Sequence, residues 1–397
     1  MNRRFFLKTS GITLAGGLLP TCAGFRKKKP NIIFLLTDDQ RWDTLGVMGN
    51  PIIKTPNMDA LAHEGLLFTN AFVTTSICCT SRASIFLGQY ARRHGIHNFS
   101  TDFTEQQLQQ TYFTLLKNVG YRTGFIGKFG VGRTLPADFF DYWQGIPGQP
   151  VYEQTDENGQ PVHLTHLMGN QALEFLDQVG AHQPFCLSIS FKAPHVQDGD
   201  PRQFIYDPAY EALYRDVEIP SPKTGNDEFW QKFPEFFIAD NEARERWRIR
   251  FATPDMYQRS VKGYYRLITG IDVVVGRIRE KLTTLGLEDN TVIILTSDNG
   301  FFLGEHGMAG KWYGHEESVR VPLVIYDPRL PKSRKGTVYS EIVLNIDMMP
   351  TMLSLAGVPV PSSVQGENIY SLILGKPTSW RQDFLYEHLF QHQKIPK

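Results

Sequence analysis

The chain predicts an α/β fold, a large and mostly parallel sheet flanked by helices on both faces. Three observations carry this. Residues 31–37 (NIIFLLT) and 291–297 (TVIILTS) are apolar almost throughout, as expected of strands buried on both sides. Such runs alternate with longer stretches of helical period, the pattern of a parallel sheet joined by crossovers. At 397 residues, 41% apolar and 21% charged, the chain can bury one large core with little beside it.

Each element has its local reason. Pro30 and the pair Asp38-Asp39 bound the first strand. Thr55-Pro56 opens a helix over 57–63, with proline at the position that needs no N–H. A short strand over 66–72 follows, then a helix over 81–90 that starts just after Cys78-Cys79. Residues 111–119 read as a helix ended by Gly120, and 121–126 as the next strand. Leu167, Leu173 and Leu176 share one face of an amphipathic helix over 166–179; 185–191 is a strand. Residues 255–285 form a long helical stretch, with an interruption expected at Gly263 or Gly270. Strands over 291–297 and 322–326 and a helix over 346–356, stopped by Gly357, complete the pattern. The segment 196–251 is polar, rich in Asp, Arg and Pro, and without clear period. It reads as a long insertion over the active site.

The zero formal net charge argues against a nucleic-acid binder, while a few cations focused in a cleft would still serve an anionic substrate. The four cysteines, Cys22, Cys78, Cys79 and Cys186, do not make a disulfide scaffold in so long a chain. Residues 1–29 are a targeting segment and linker. Arg3-Arg4 before Phe5-Phe6-Leu7-Lys8, then a short apolar run, resembles a twin-arginine export signal. The run is too short to span a bilayer stably. Cleavage near Ala23 and a lipid anchor at Cys22 are the two alternatives, and either places the protein in the periplasm or at the cell surface.

Two strands end in acidic pairs, Thr37-Asp38-Asp39 and Ser297-Asp298-Asn299-Gly300. In open α/β sheets ligands bind beyond the carboxyl ends of the strands. Three carboxylates and an amide suit a hard cation, Ca²⁺ or Mg²⁺. Either pair alone would pass as turn residues; two at two strand ends favour metal.

Cys78-Cys79-Thr80-Ser81-Arg82, continuing to Phe86-Leu87-Gly88, resembles the sulfatase signature Cys-x-Pro-Ser-Arg with its Leu-Thr-Gly end. Further blocks follow in family order: 31–46, 120–128, Ala193-Pro194-His195, 296–311 and 316–322. On these blocks the chain is identified as a member of the sulfatase family, the formylglycine-dependent branch of the alkaline phosphatase superfamily. It resembles bacterial glycan sulfatases such as the N-acetylglucosamine-6-sulfatases. The resemblance implies an alkaline-phosphatase-like fold over 30–375 and hydrolysis of sulfate monoesters on a sulfated carbohydrate. It implies that a separate maturase oxidises Cys78 to Cα-formylglycine. Asp38, Asp39, Asp298 and Asn299 would then bind Ca²⁺ together with the modified Cys78. Arg82 would hold the hydrated aldehyde, Lys128 and Lys311 the sulfate oxygens, and His195 the sulfate or the leaving oxygen. His306 is a further substrate-binding candidate.

Two departures stand out. Where the family reads Gly-Lys-Trp-His, this chain has Gly127-Lys128-Phe129-Gly130, so a histidine that steadies the nucleophile is replaced by glycine. Residues 376–397 read as the start of a truncated C-terminal subdomain with a loosely ordered end. The competing readings are a phosphonate or phosphate ester hydrolase of the same superfamily and a catalytically weak binder of sulfated glycans. Specificity is expected in the loops 131–160 and 196–250.

Overall fold

The computed structural model describes residues 28–180, 183–375, 379–390 and 392–396. The export segment and Cys22 lie outside the described residues. Among those described, no helix is long and apolar enough to cross a membrane.

A nine-stranded sheet organises the chain. Its strands, in chain order, are β1 (Asn31–Asp38), β2 (Leu66–Phe72), β3 (Arg122–Lys128), β4 (Tyr142–Ile146), β5 (Phe185–Pro194), β6 (Thr291–Ser297), β7 (Arg320–Tyr326), β8 (Thr337–Tyr339) and β9 (Val343–Leu344). The spatial order is β8-β2-β7-β6-β1-β5-β3-β4, with β9 also pairing with β2. Every pairing is parallel except the two made by β7. Pro322 falls where the register between β7 and β2 shifts. A residue without an N–H is tolerated at such a bulge.

The helices that matter here are α1 (Pro56–Glu64), α2 (Cys78–Leu87), α3 (Tyr112–Asn118), α4 (Leu164–Gln178), α5 (Glu242–Arg250), α6 (Pro254–Thr284) and α7 (Met348–Leu355). Side chains alternate across a strand, so β1 serves two cores at once. Ile33 and Leu35 pack with α1, α4 and α6; Ile32, Phe34 and Leu36 pack with α2, α3 and α7. This is the predicted two-faced sheet.

Several local expectations shift. α2 begins at Cys78 rather than after it, so the cysteine pair opens the helix. α6 runs unbroken through Gly263 and Gly270. A Cβ on Gly263 would lie 2.8 Å from Phe204 Cβ, so this glycine admits the insertion against the helix instead of breaking it. The insertion is not structureless, because it contains α5. Its sequence, EARERWRIR, has no apolar stripe of helical period, because its buried positions are Ala243, Arg244 and Arg250. The inward face is mostly arginine.

The C-terminal stretch is anchored, contrary to the loose end expected. The Glu387 N–H donates to Thr74 O at 2.8 Å, the Tyr386 hydroxyl to Trp312 O at 2.5 Å, and the Glu242 N–H to Lys394 O at 2.8 Å. Phe390 and Ile395 are buried.

Candidate active site

β1 and β6 are neighbours, with Thr37 level with Ser297. The two acidic pairs therefore emerge side by side, although 259 residues separate Asp39 from Asp298. Asp39 takes a left-handed turn, φ 68°, which aspartate tolerates better than most residues. Its N–H donates to Asp298 Oδ1 at 3.3 Å, and its carbonyl accepts from Tyr264 of α6 at 2.6 Å.

α2 brings the cysteine. Ile77 is extended and provides no side-chain cap, and Cys78 is the first helical residue. Cys78 thus sits at the positive end of a helix, a place that favours negative charge. Its thiol donates to Asp38 Oδ1 at 3.4 Å, and Lys311 Nζ donates to its Sγ at 2.8 Å. One turn further on, Arg82 is fully buried and gives Nε to Asp298 Oδ2 at 2.8 Å and a terminal nitrogen to the Lys128 carbonyl at 2.6 Å. It also bonds the Ser190 hydroxyl and stands 3.6 Å from Asp38.

Lys128, the last residue of β3, pairs with Asp38. Lys311, which follows a small hairpin, pairs with Asp39 Oδ1 at 2.5 Å. His195 follows β5. Its Nδ1 meets the Val196 carbonyl at 2.7 Å, and its Nε2 meets Gln149 Nε2 at 3.2 Å and Asp39 Oδ2 at 3.5 Å. The network assigns the proton to Nδ1, which leaves the Nε2 lone pair facing Gln149.

Three carboxylates and three cations are thus packed together out of water. Burial pushes the Asp38 carboxyl up, but the cations Lys128, Lys311 and Arg82 outweigh it and hold the group well below the usual range. Burial and the neighbouring Asp38 and Asp298 push Asp39 up to about 7 against the pull of Lys311. Burial and Asp38 also raise Asp298. Burial, with Asp38, raises the Cys78 thiol well above its ordinary value. Burial and Lys311 push His195 well below its ordinary value, so the ring is neutral.

The set fits a hard cation. Asp39 Oδ2 and Asn299 Oδ1 are buried oxygens without a hydrogen-bond partner. Ligand atoms of Asp38, Asp39, Cys78 and His195 all lie within 4.8 Å of one another. The carboxylate and amide oxygens among these atoms suit Ca²⁺ or Mg²⁺.

Asp38, Asp39, Cys78, Arg82, Lys128, His195, Asp298, Asn299 and Lys311 are therefore brought together. His306 is not. It sits in a left-handed turn, φ 57°, against Phe233, Phe302 and His315, with Glu317 at 3.7 Å. The turn aims it into this side cluster and away from the cavity.

A cavity of about 470 Å³ opens above Cys78, Lys128, His195 and Lys311. Its other walls include Gln149, Asp198, Glu242, Arg246, Trp312 and Phe390. The sequence pointed to the loops that carry Gln149, Asp198, Glu242 and Arg246 but singled out none of these residues. Gly130 also lines the cavity. Its φ is +75°, and a Cβ there would lie 2.6 Å from Arg82 Cδ. A side chain at this position, the family histidine included, would collide with the path Arg82 takes.

A family model for sulfatases matches residues 30–358. The N-acetylglucosamine-6-O-sulfatase of Bacteroides thetaiotaomicron is 29% identical, with 95% of this chain and 78% of that protein covered. The arylsulfatase of Clostridium perfringens is 30% identical, with 91% of this chain and 82% of that protein covered. A solved complex of a protein with its substrate D-glucosamine-2-N,6-O-disulfate superposes with a TM-score of 0.76 at 27% identity, covering 89% of this chain and 82% of the other. A phosphonate monoester hydrolase from Silicibacter pomeroyi reaches a TM-score of 0.74 at 22% identity, covering 89% of this chain and 78% of the other, and shares the fold. The chain belongs to the sulfatase family and is a sulfuric ester hydrolase of alkaline-phosphatase-like fold.

Proposed function

We propose that this protein desulfates a sulfated polysaccharide or oligosaccharide, with Cys78 matured to Cα-formylglycine and Ca²⁺ held by Asp38, Asp39, Asp298, Asn299 and the modified side chain. The observation that carries this reading is the position of Cys78. It opens α2 on the floor of the cavity, in contact with Asp38 and with Lys311. Bound there, the cation would offset negative charge and lower the pKa of a hydroxyl, and the aldehyde hydrate would supply that hydroxyl as nucleophile.

The chain's own residues do the rest. A sulfate monoester is an anion and repels a nucleophile, so fixed cations must receive its oxygens. Lys128 and Lys311 line the cavity and offer ammonium donors for them. Arg82, with no exposed surface, keeps Asp298 and Asp38 in place from behind. His195, held neutral, turns its Nε2 lone pair to the cavity side, where it can accept a hydrogen bond from the departing hydroxyl. Gly130 offers no group, and Lys311 is the donor found at the Cys78 side chain; we assign to it the contact that the family histidine makes elsewhere.

The sugar assignment draws support from the named activity of the Bacteroides relative and from the solved complex with a disulfated glucosamine. The Arg3-Arg4 segment supports export, with maturation before folding in the cytoplasm. The test is coexpression with a formylglycine-generating maturase. The Cys78 peptide should be lighter by exchange of sulfur for oxygen and loss of two hydrogens, and the protein should desulfate members of a sulfated-glycan panel. Cys78→Ala should lose turnover while keeping its melting profile. Faster turnover of aryl phosphates or phosphonates than of aryl sulfates would overturn the reading in favour of the phosphonate hydrolases.

A further inference from the structure

The wall of the cavity formed by α5 carries a charge ladder that no step of the chemistry above uses. Glu242, Arg246 and Arg250 are successive turns of one helix face, and Asp198 faces them from the loop after His195. Arg246 pairs with Glu242 at 2.7 Å and with Asp198 at 3.4 Å, and its guanidinium lies 5.1 Å from the Trp312 ring centre. Arg250 pairs with Asp198 at 3.0 Å and gives Nε to Gln203 at 2.8 Å.

The burial of the two arginines differs from that of the aspartate. The Arg250 side chain is 2% exposed, whereas that of Asp198 is 48% exposed. A buried guanidinium with one terminal nitrogen unpartnered is costly to keep. Its ion-pair partner is a carboxylate that opens into the cavity. The ladder holds two carboxylates against two guanidiniums, so it offers no net positive charge to a second anion. A second sulfate placed here would face Asp198 and Glu242. A hydroxyl can both donate to Asp198 and accept from Arg246.

We propose that Asp198 and Arg246 are specificity-determining residues that read free hydroxyls on the sugar ring whose sulfate is removed, and that they reject further sulfation at that edge. This rests on the sulfated-carbohydrate reading above. A site built around a charged hydrogen-bond partner discriminates strongly, because a mismatched substrate leaves that partner unpaired.

The test compares kcat/KM for N-acetylglucosamine 6-sulfate, glucose 6-sulfate and galactose 6-sulfate with kcat/KM for 4-nitrophenyl sulfate, which has no hydroxyls to read. Asp198→Asn and Arg246→Gln should each lower the sugar-to-aryl ratio for the preferred sugar by at least about tenfold, mainly through KM. Arg246→Gln leaves the Arg250–Asp198 pair in place, so it decides the matter if Asp198→Asn fails to fold. An unchanged ratio in folded Arg246→Gln overturns the inference. So does a wild-type enzyme that turns over the aryl ester but none of the sugars. A matured wild-type enzyme that hydrolyses neither class refutes the proposed function itself.

Discussion

Replacing Arg82 with methionine tests whether burial gives the charge cluster its energetic weight. The Arg82 side chain has no exposed surface and stands 2.8 Å from Asp298 and 3.6 Å from Asp38. It also donates to the Lys128 carbonyl and the Ser190 hydroxyl. Methionine fills much of the volume, so the loss is chiefly electrostatic. Removing one partner of a buried ion pair costs about 3–5 kcal/mol, because the other charge stays buried and unpaired. The control is Arg202→Met. Arg202 pairs with Glu153 and Asp200 at 2.8 Å each but is 53% exposed, and exposed pairs contribute roughly 0–1 kcal/mol. Urea unfolding at neutral pH with chelator present measures both. The Arg82 deficit should shrink as pH falls. Asp298 is already raised by burial and by Asp38, and losing the guanidinium raises it further, so acid neutralises the stranded carboxylate. Equal losses in the two variants, or an Arg82 loss under about 1 kcal/mol, would refute the argument that burial decides.

Gly130→Ala should cost more than Gly49→Ala. Both glycines have positive φ, and an L side chain there costs about 1–2 kcal/mol; only Gly130 has a close neighbour for the new Cβ, Arg82 Cδ at 2.6 Å, while Gly49 has nothing within 4 Å. Turnover should fall with stability in Gly130→Ala alone, and similar melting shifts in the two variants would count against the Arg82 clash. His94 is buried, with Nδ1 accepting from the Ile96 N–H and Nε2 near Ser84 Oγ, and burial, then His97, lowers it from 6.5 to about 3. The folded state resists a proton that the unfolded chain accepts, so stability present above pH 6.5 is lost as pH falls toward 3. Between 6.5 and 5 the loss is about 1.6 kcal/mol, and an equally steep pH profile in His94→Gln would remove His94 as its source. Calcium at a hundred times its dissociation constant should stabilise the protein by about 2.7 kcal/mol, read as a melting shift reversed by chelator and reduced in Asp298→Ala. No shift with calcium or magnesium would sink the assigned cation site.

The chain's local patterns were enough to indicate a two-faced parallel sheet. Continuous apolar runs such as 31–37 and 291–297 report burial on both sides, and that depends only on neighbouring residues. The cysteine at 78 and the acidic pairs at 38–39 and 298–299 were legible in the same way, as short motifs of distinctive residue type. What the linear order cannot hold is adjacency. Parallel pairing puts Thr37 level with Ser297, and that register alone turns two ordinary strand ends into one cluster. Only tertiary structure reversed β7, turned His306 aside and ran Arg82 along the bare Cα of Gly130. It also made α5 a wall of the cavity, on a face whose arginines conceal it from any apolar pattern. Sequence determined which residues must be buried and which carry chemistry; the pairing of distant segments decided which of them meet, because hydrogen bonding and packing act across space rather than along the chain.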